Sequence, residues 1–468
     1  MNKSAAKDMT YGNPLKLILA YAIPVFLSSL FQQIYTVADT AIVSKTLGDQ
    51  ALAAVGSIGS VNFLILGFCN GMGMGFAIPI AQKFGAKDIE GVKKYAGNAV
   101  WVFAVVSAIV TTIAIGLCGT ILQVTKTPVE IMDMAYQYLL VIFLGIPVQF
   151  AYNALAGIIR SLGDSKTPLY ILVVASIVNI VLDLVFILGF SLGTIGAAMA
   201  TVFSQFFSVI GCIVLIVKKI PELRLAKTDL IPQRLFLLDL IKYGLPMGLQ
   251  MSVTGIGSIL LQTSVNSLGT IAVASVVAAE RICNTVSVVT TSIASAMSVY
   301  CGQNLGAKQY GRINHGVKTG VVLGFGFSTV ACIILLFFGR TFTLLFLNAT
   351  STELIEMTYQ YIRIVAMFLW AQSLIFSVRF SIQGLGHAYI ALVACLLEMA
   401  ARSIFGLYVV PSFGFVAAAL SSPAAWVVAD ALLVPAMMII IKKMSKLEMI
   451  EEGKHHLPEN DQSATHEG

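Results

Sequence analysis

The sequence predicts an all-α polytopic membrane protein, with twelve transmembrane helices in two pseudo-symmetric six-helix bundles. Three observations carry this reading. The 468 residues are 57% hydrophobic and only 11% charged, with a mean hydropathy of +0.88, whereas about 25% of a soluble protein is charged. Apolar runs of the roughly 20 residues that a bilayer demands recur along the whole chain; a barrel would show alternating segments of about ten. Short motifs of the first half also return in the second.

Apolar runs between polar breaks place the spans at 15–44, 53–82, 96–121, 131–159, 168–190 and 193–217, then at 236–267, 271–301, 316–346, 354–383, 388–410 and 413–441. The long internal polar connection runs from Lys218 to Arg234. The expected organisation is therefore an N-terminal bundle (1–217), a cytoplasmic linker (218–235), a C-terminal bundle (236–443) and a disordered cytoplasmic tail (444–468). Lys3 and Lys7 precede a run too long for a signal-peptide core, so the first span is read as retained.

Orientation follows from the basic residues. One set of loops holds Lys83, Lys87, Lys93, Lys94, Arg160, Lys166, Lys218, Lys219, Lys308, Arg312, Lys442 and Lys443, while the opposite loops hold only Lys45, Lys126 and Arg340. Both termini are thus expected in the cytoplasm of a cell whose plasma membrane the chain crosses many times. The basic residues sit in short loops between spans and do not point to nucleic acid.

The halves repeat one another. Gln82-Lys-Phe-Gly-Ala-Lys87 returns as Gln303-Asn-Leu-Gly-Ala-Lys308, Ala22-Ile-Pro24 as Gly244-Leu-Pro246, and Arg160-Ser-Leu-Gly163 as Gln383-Gly-Leu-Gly386. The offsets are 221, 222 and 223 residues (303 − 82, 246 − 24, 383 − 160), and their consistency is the argument. Six spans per half give both repeats the same orientation, with a substrate site expected between them.

Chemistry concentrates in the first half. Asp39 sits in the first span and Asp183 in the fifth, both towards the outer ends of outward-running helices. A carboxylate at membrane depth costs roughly 2.5–3.5 kcal/mol on insertion scales and marks a functional site by default. Tyr35 and Asn179 each lie one turn before an acid, on the same face. The bland alternative is a pair of helix-end carboxylates reaching outer headgroups. Together the acids could load a proton as a coupled unit or hold a small hard cation. Pro24 removes a helix hydrogen bond and invites a bend, so the first helix could change shape.

Other charges are more ambiguous. Glu280 either contacts a cationic substrate or pairs with a neighbouring arginine; Glu398 and Arg402, one turn apart, are expected to bridge; Asp430, Arg379, Glu356 and Arg363 read as packing or interface charges. Gly71-Met-Gly-Met-Gly75 lies inside a span and suits close helix packing. Asn348-Ala-Thr350 fits a glycosylation sequon, and His455-His456 fall in the polar tail. Seven scattered cysteines without a CxxC pair suggest neither a disulfide framework nor a metal site. With no nucleophile–base pair or metal-ligand spacing, no enzymatic activity and no cofactor are expected.

Val37-Ala-Asp-Thr-Ala-Ile-Val43, the Gln82–Lys87 loop, Arg160-Ser-Leu-Gly-Asp-Ser-Lys-Thr-Pro168 and Asn179-Ile-Val-Leu-Asp183 together resemble the multidrug and toxic compound extrusion (MATE) family, over about residues 11–443. The resemblance implies two bundles around a central cavity and cation-driven antiport of cationic or amphipathic drugs. In proton-coupled members a network surrounds the first-helix acid; by position it would comprise Tyr35, Asp39, Asn153, Asn179, Asp183 and Thr201 here, with Pro24 as the bending proline. Sodium-coupled members with a second-bundle site carry a glutamate two turns after the seventh-helix proline, where this chain has Thr254. That departure favours H⁺ over Na⁺. Gln32, Gln33, Gln149 and Tyr152 are candidate cavity residues. The expected partners are a small organic cation or amphipath, the coupling ion and the lipid bilayer, with the chain acting as a monomer. A lipid-linked saccharide flippase of the same two-bundle plan is the alternative.

Overall fold

The computed structural model describes residues 4–125, 127–346 and 351–455. Among these there are no strands. Ten helices are long and apolar enough to cross a membrane, and two bent pairs raise the total to 12 if each pair is one span. The first bundle comprises α1 (Pro14–Ser57), α2 (Gly59–Gly85), α3 (Ile89–Val124), the bent pair α4 (Val129–Leu144) and α5 (Ile146–Ser161), α6 (Lys166–Leu184) and α7 (Gly193–Lys219). The second comprises α8 (Arg234–Asn266), α9 (Thr270–Gly306), α10 (Tyr310–Phe346), the bent pair α11 (Thr352–Met367) and α12 (Leu369–Gly384), α13 (Ala388–Ile404), the short α14 (Val410–Phe413) and α15 (Phe415–His455). This is a multi-pass membrane protein.

Local chemistry explains most boundaries. Asn13 caps α1, accepting from the Leu15 amide at 2.9 Å, and Pro14 needs no donor partner in the first turn. Asp88 caps α3 through the Gly91 amide at 2.8 Å. Helical geometry in α1 breaks at Gly48 (φ 83°), which ends the first span and turns residues 49–57 into a separate helical segment. The expected second span, 53–82, accordingly begins later, in α2.

The span expected at 131–159 is a pair bent by 48° at Gly145, where Pro147 cannot donate to the preceding turn. Its counterpart bends by 50° at Phe368, with no proline nearby to signal it. π-helical turns follow α6 at Val185–Gly189 and α13 at Phe405–Val409, so the repeat extends to local irregularities. α15 continues to His455, and residues 444–455, expected as disordered tail, are helical. Lys126, the Asn348–Thr350 sequon and His456 lie outside the described residues.

The bundles are joined on the face that carries the N-terminus and the basic loops. Gln82 donates to the Gly384 carbonyl at 3.1 Å, and its repeat partner Gln303 donates to the Ser161 carbonyl at 2.9 Å. Each motif glutamine thus grips the end of the other bundle's bent pair. A Cβ on Gly85 would collide with the Gln303 carbonyl, and one on Gly306 with the Gln82 carbonyl, so these glycines permit the approach. The N-terminal segment, residues 4–13, lies across the same junction. Its Lys7 amide donates to the Leu162 carbonyl at 2.8 Å in the first bundle, and its Met9 amide to Gln303 Oε1 at 2.8 Å in the second.

Overpacking a close helix contact costs about 1–3 kcal/mol. Gly85→Ala and Gly306→Ala are therefore expected to lower the thermal midpoint in detergent. Gly116→Ala, where nothing lies within 4 Å of the added Cβ, should leave it unchanged.

Candidate functional site: an acid pair in the first bundle

α1 packs against α4, α6 and α7, and this packing assembles the candidate site. Asp39 projects from α1 towards Asp183, which sits near the end of α6, two residues before the π-helical turn. Such turns recur at functional sites, where they re-aim neighbouring side chains. The two carboxyl groups are close enough to share a hydrogen bond. One turn back along α1, Tyr35 reaches the Thr201 hydroxyl on α7, and Tyr138 of α4 faces both acids.

Burial makes this arrangement demanding. Asp183 is fully buried and Asn179 is 1% exposed, while Asp39 is half-buried. Asp39 Oδ1, both Asp183 oxygens and both polar atoms of the Asn179 amide are buried without a hydrogen-bond partner. An ionised carboxylate can only accept, so two of them face to face satisfy nothing and repel. A single proton turns one carboxyl into a donor for the other. A small cation would achieve the same neutralisation by binding oxygens of both.

The remaining expected residues are placed less uniformly. Thr201 stands in the site, with its hydroxyl also donating to the Ala197 carbonyl at 3.1 Å. Asn153 is half-buried on α5, and no hydrogen bond joins its side chain to the acids among the described residues. Gln32 is exposed and Gln33 and Gln149 are half-buried. Tyr152 differs: it is buried in the apolar core of the first bundle, packed away from any open surface. α1 stays helical through Pro24, and the Ser28 hydroxyl donates to the Pro24 carbonyl at 2.8 Å. A cavity of about 660 Å³ lies elsewhere, at the α8–α9 turn beside Asn266, Thr270 and Arg281.

In the second bundle Glu280 faces Arg402 and the Tyr361 hydroxyl, so an arginine does neighbour it. Glu398 bonds Arg379 in a buried ion pair, and Arg402, its expected partner, stands 4.0 Å away. Glu356 pairs with Arg340 at 2.7 Å. Tyr138 was not singled out from the sequence. It is one of 15 tyrosines and nothing local distinguishes it, although its position in the span that packs against α1 could have suggested it.

Comparison with known proteins decides the family. The MatE family model matches residues 24–185 and 246–420, one stretch in each bundle. The chain belongs to the MatE family. The matched stretches begin at Pro24 and Pro246, each contains its copy of the glutamine and Leu-Gly motifs, and the first contains Asp39 and Asp183. Relatives of this MatE chain include the probable multidrug resistance protein YoeA of Bacillus subtilis, 28% identical, with 75% of this chain and 76% of the relative covered. The multidrug export protein MepA of Staphylococcus aureus is 22% identical over 82% of this chain and 84% of its own length. Among solved structures, a MATE in complex with MaL6 superposes with a TM-score of 0.86 at 23% identity, covering 94% of this chain and 98% of that one. An outward-facing MATE family transporter of the MOP superfamily gives 0.84 at 24% identity, with the same coverage. These likenesses confirm the two-bundle fold.

If Asp39 and Asp183 face one another, cysteines at both positions in a variant lacking the native cysteines should bind one Cd²⁺ jointly. Either single cysteine should not. Cadmium protection of both thiols from maleimide labelling reads this directly.

Proposed function

We propose that this MatE protein is a secondary active antiporter that exports cationic or amphipathic organic compounds in exchange for inward protons. The observation that carries the reading is the Asp39–Asp183 pair, in which Asp39 Oδ1 and both Asp183 oxygens are buried without a donor among the described residues. Such a pair is unsatisfied when empty and satisfied when it holds one positive charge. The names of the relatives support the export of drugs, and the family fold supports alternating access between two bundles.

In this reading the basic face is cytoplasmic. The glutamine junction and the N-terminal segment then close the inner side, and the form described is the outward-open one. A proton entering from outside loads the acid pair and removes the repulsion between α1 and α6. α1 changes shape near Pro24, where the helix lacks one hydrogen bond, and the drug leaves. The loaded protein closes outside, opens inside, and returns the proton to the cytoplasm. Tyr35 and Thr201 hold the α1–α7 spacing around the pair, while Gln32, Gln33 and Gln149 offer polar contacts suited to loose recognition. Proton coupling is favoured over sodium because a proton creates the missing donor outright. A monovalent ion falling through about 100 mV supplies about 2.3 kcal/mol, enough for roughly fifty-fold accumulation of a neutral substrate.

Dye efflux in everted vesicles, with proton and sodium gradients imposed separately, tests this. Transport should follow the proton gradient and fall by at least an order of magnitude in both Asp39→Asn and Asp183→Asn. Unaltered transport in both variants would sink the assignment, and dependence on the sodium gradient alone would replace the ion. Pro24→Ala should slow turnover several-fold while leaving equilibrium drug binding near that of the unsubstituted protein; equal losses in both would count against a moving first helix.

A further inference from the structure

Residues 4–13 are held unequally on the two sides of the bundle junction. Towards the first bundle their contacts are shallow. The Ser4 hydroxyl donates to Glu222 Oε2 at 2.8 Å, and the Ala5 amide donates to the Lys219 carbonyl at 3.0 Å. The Lys7 amide donates to the Leu162 carbonyl at 2.8 Å. Asp8 pairs with Lys87 at 2.8 Å, through side chains that stay 30% and 64% exposed. The apolar groups laid on the first bundle's core are only Ala5 and Ala6, both half-buried. Gly163, at φ 82°, lets the Lys7 carbonyl rest where any Cβ would collide with it.

Towards the second bundle the same segment is anchored. The Met9 side chain is 1% exposed and belongs to the second bundle's core, with Ile18, Tyr300 and Ile313. Its amide donates to Gln303 Oε1 at 2.8 Å, and its carbonyl accepts from Asn304 Nδ2 at 3.2 Å and Arg312 Nη2 at 3.4 Å. Arg312 Nη2 also donates to the Gly12 carbonyl at 3.0 Å, and Arg312 Nε to Asn304 Oδ1 at 3.1 Å. The cost of exposure scales with apolar area, so withdrawing Met9 costs more than lifting two alanines. Backbone donors freed on the first-bundle side would bond water instead. The repeat gives the same assignment. The polar segment leading into α8 is likewise held by the opposite bundle, where Trp101 Nε1 on α3 donates to the Leu230 carbonyl at 2.7 Å. Asn98 Oδ1, also on α3, accepts from the Gln233 amide at 2.8 Å.

We propose that residues 4–8 are a releasable strap, which peels from the first bundle when the inner side opens, while Met9 to Gly12 stay with the second. The strap's bonds to Lys219, Leu162 and Lys87 exist only in the form closed on the inside. A contact made in one of two states shifts the equilibrium towards that state. The strap therefore favours the outward-open form, and weakening it releases the inner side. The inference rests on the bundles rocking as the antiport reading requires, but on neither the coupling ion nor the substrate.

Spin labels on the full-length protein, in a background lacking the native cysteines and in lipid nanodiscs, read both movements. Labels at Lys218→Cys and His315→Cys report the separation of the bundles on the inner side. Labels at Lys7→Cys with either of those positions report which bundle the strap follows. In acidic and alkaline buffer, with and without a cationic dye, the 218–315 pair should show a short and a long population. The 7–218 distance should lengthen with it, and the 7–315 distance should hold. Ala5→Pro/Lys7→Pro removes both backbone donors to the first bundle and should raise the long 218–315 population several-fold. Asp8→Asn should raise it at most about five-fold, the ceiling for an exposed ion pair. A fixed 7–218 distance, a changing 7–315 distance, or an unaltered population in the proline variant would overturn the strap while leaving alternating access intact. A single 218–315 distance under every condition, the proline variant included, would overturn both.

Discussion

Asp39 and Asp183 are brought together by the packing of α1 on α6, and Asp39 Oδ1 and both Asp183 oxygens are buried there without a donor among the described residues. Many other buried polar groups find partners within the protein, although some, such as both Asp430 oxygens and Asn62 Oδ1, do not. Helix-end amides meet caps, serines and threonines bond back to carbonyls one turn away, and the motif glutamines meet carbonyls across the bundle junction. The acid pair is unpartnered too, and in the proposed mechanism this is what would give the first bundle two states: empty, the carboxylates would repel; loaded, they would share the ion.

The architecture is symmetric and its chemistry is not. The repeat covers the helix order, the bends at Gly145 and Phe368, the π-helical turns after α6 and α13, and the reciprocal grip of Gln82 and Gln303. These features position and join the bundles, and both copies need them. Asp39 has no counterpart in α8, where Leu261 and Gln262 occupy the matching region. The second bundle instead holds acids interleaved with arginines. Equivalent scaffolds therefore carry different sets of charged side chains.

Much of this was legible in the residues. Hydropathy located the spans because the bilayer fixes their length, and the acids stood out because charge is rare at that depth. The glutamine motifs were visible as repeats, but not as contacts, since each glutamine finds its acceptor in the opposite half of the chain. Glu398 shows a second limit. Helical spacing pointed to Arg402, which does bridge Glu398 at 4.0 Å, but it could not reveal Arg379, which the approach of α12 brings closer still. Tyr152, which is buried in the core, shows a related limit: a polar aromatic at a helix–helix contact looks the same in sequence whether it faces a cavity or the core. The bend at Phe368 has no local breaker at all, and only its repeat partner at Gly145 hints at it.

The account rests on one proton being held between Asp39 and Asp183 until α1 moves. Infrared difference spectroscopy in sodium-free buffer reads that proton directly, as the carbonyl stretch of a protonated carboxylic acid. Saturating the purified protein with a cationic substrate should remove one such band, and the change should be missing in Asp183→Asn. A carboxyl band that does not respond to substrate, or an identical response in Asp183→Asn, would contradict the account.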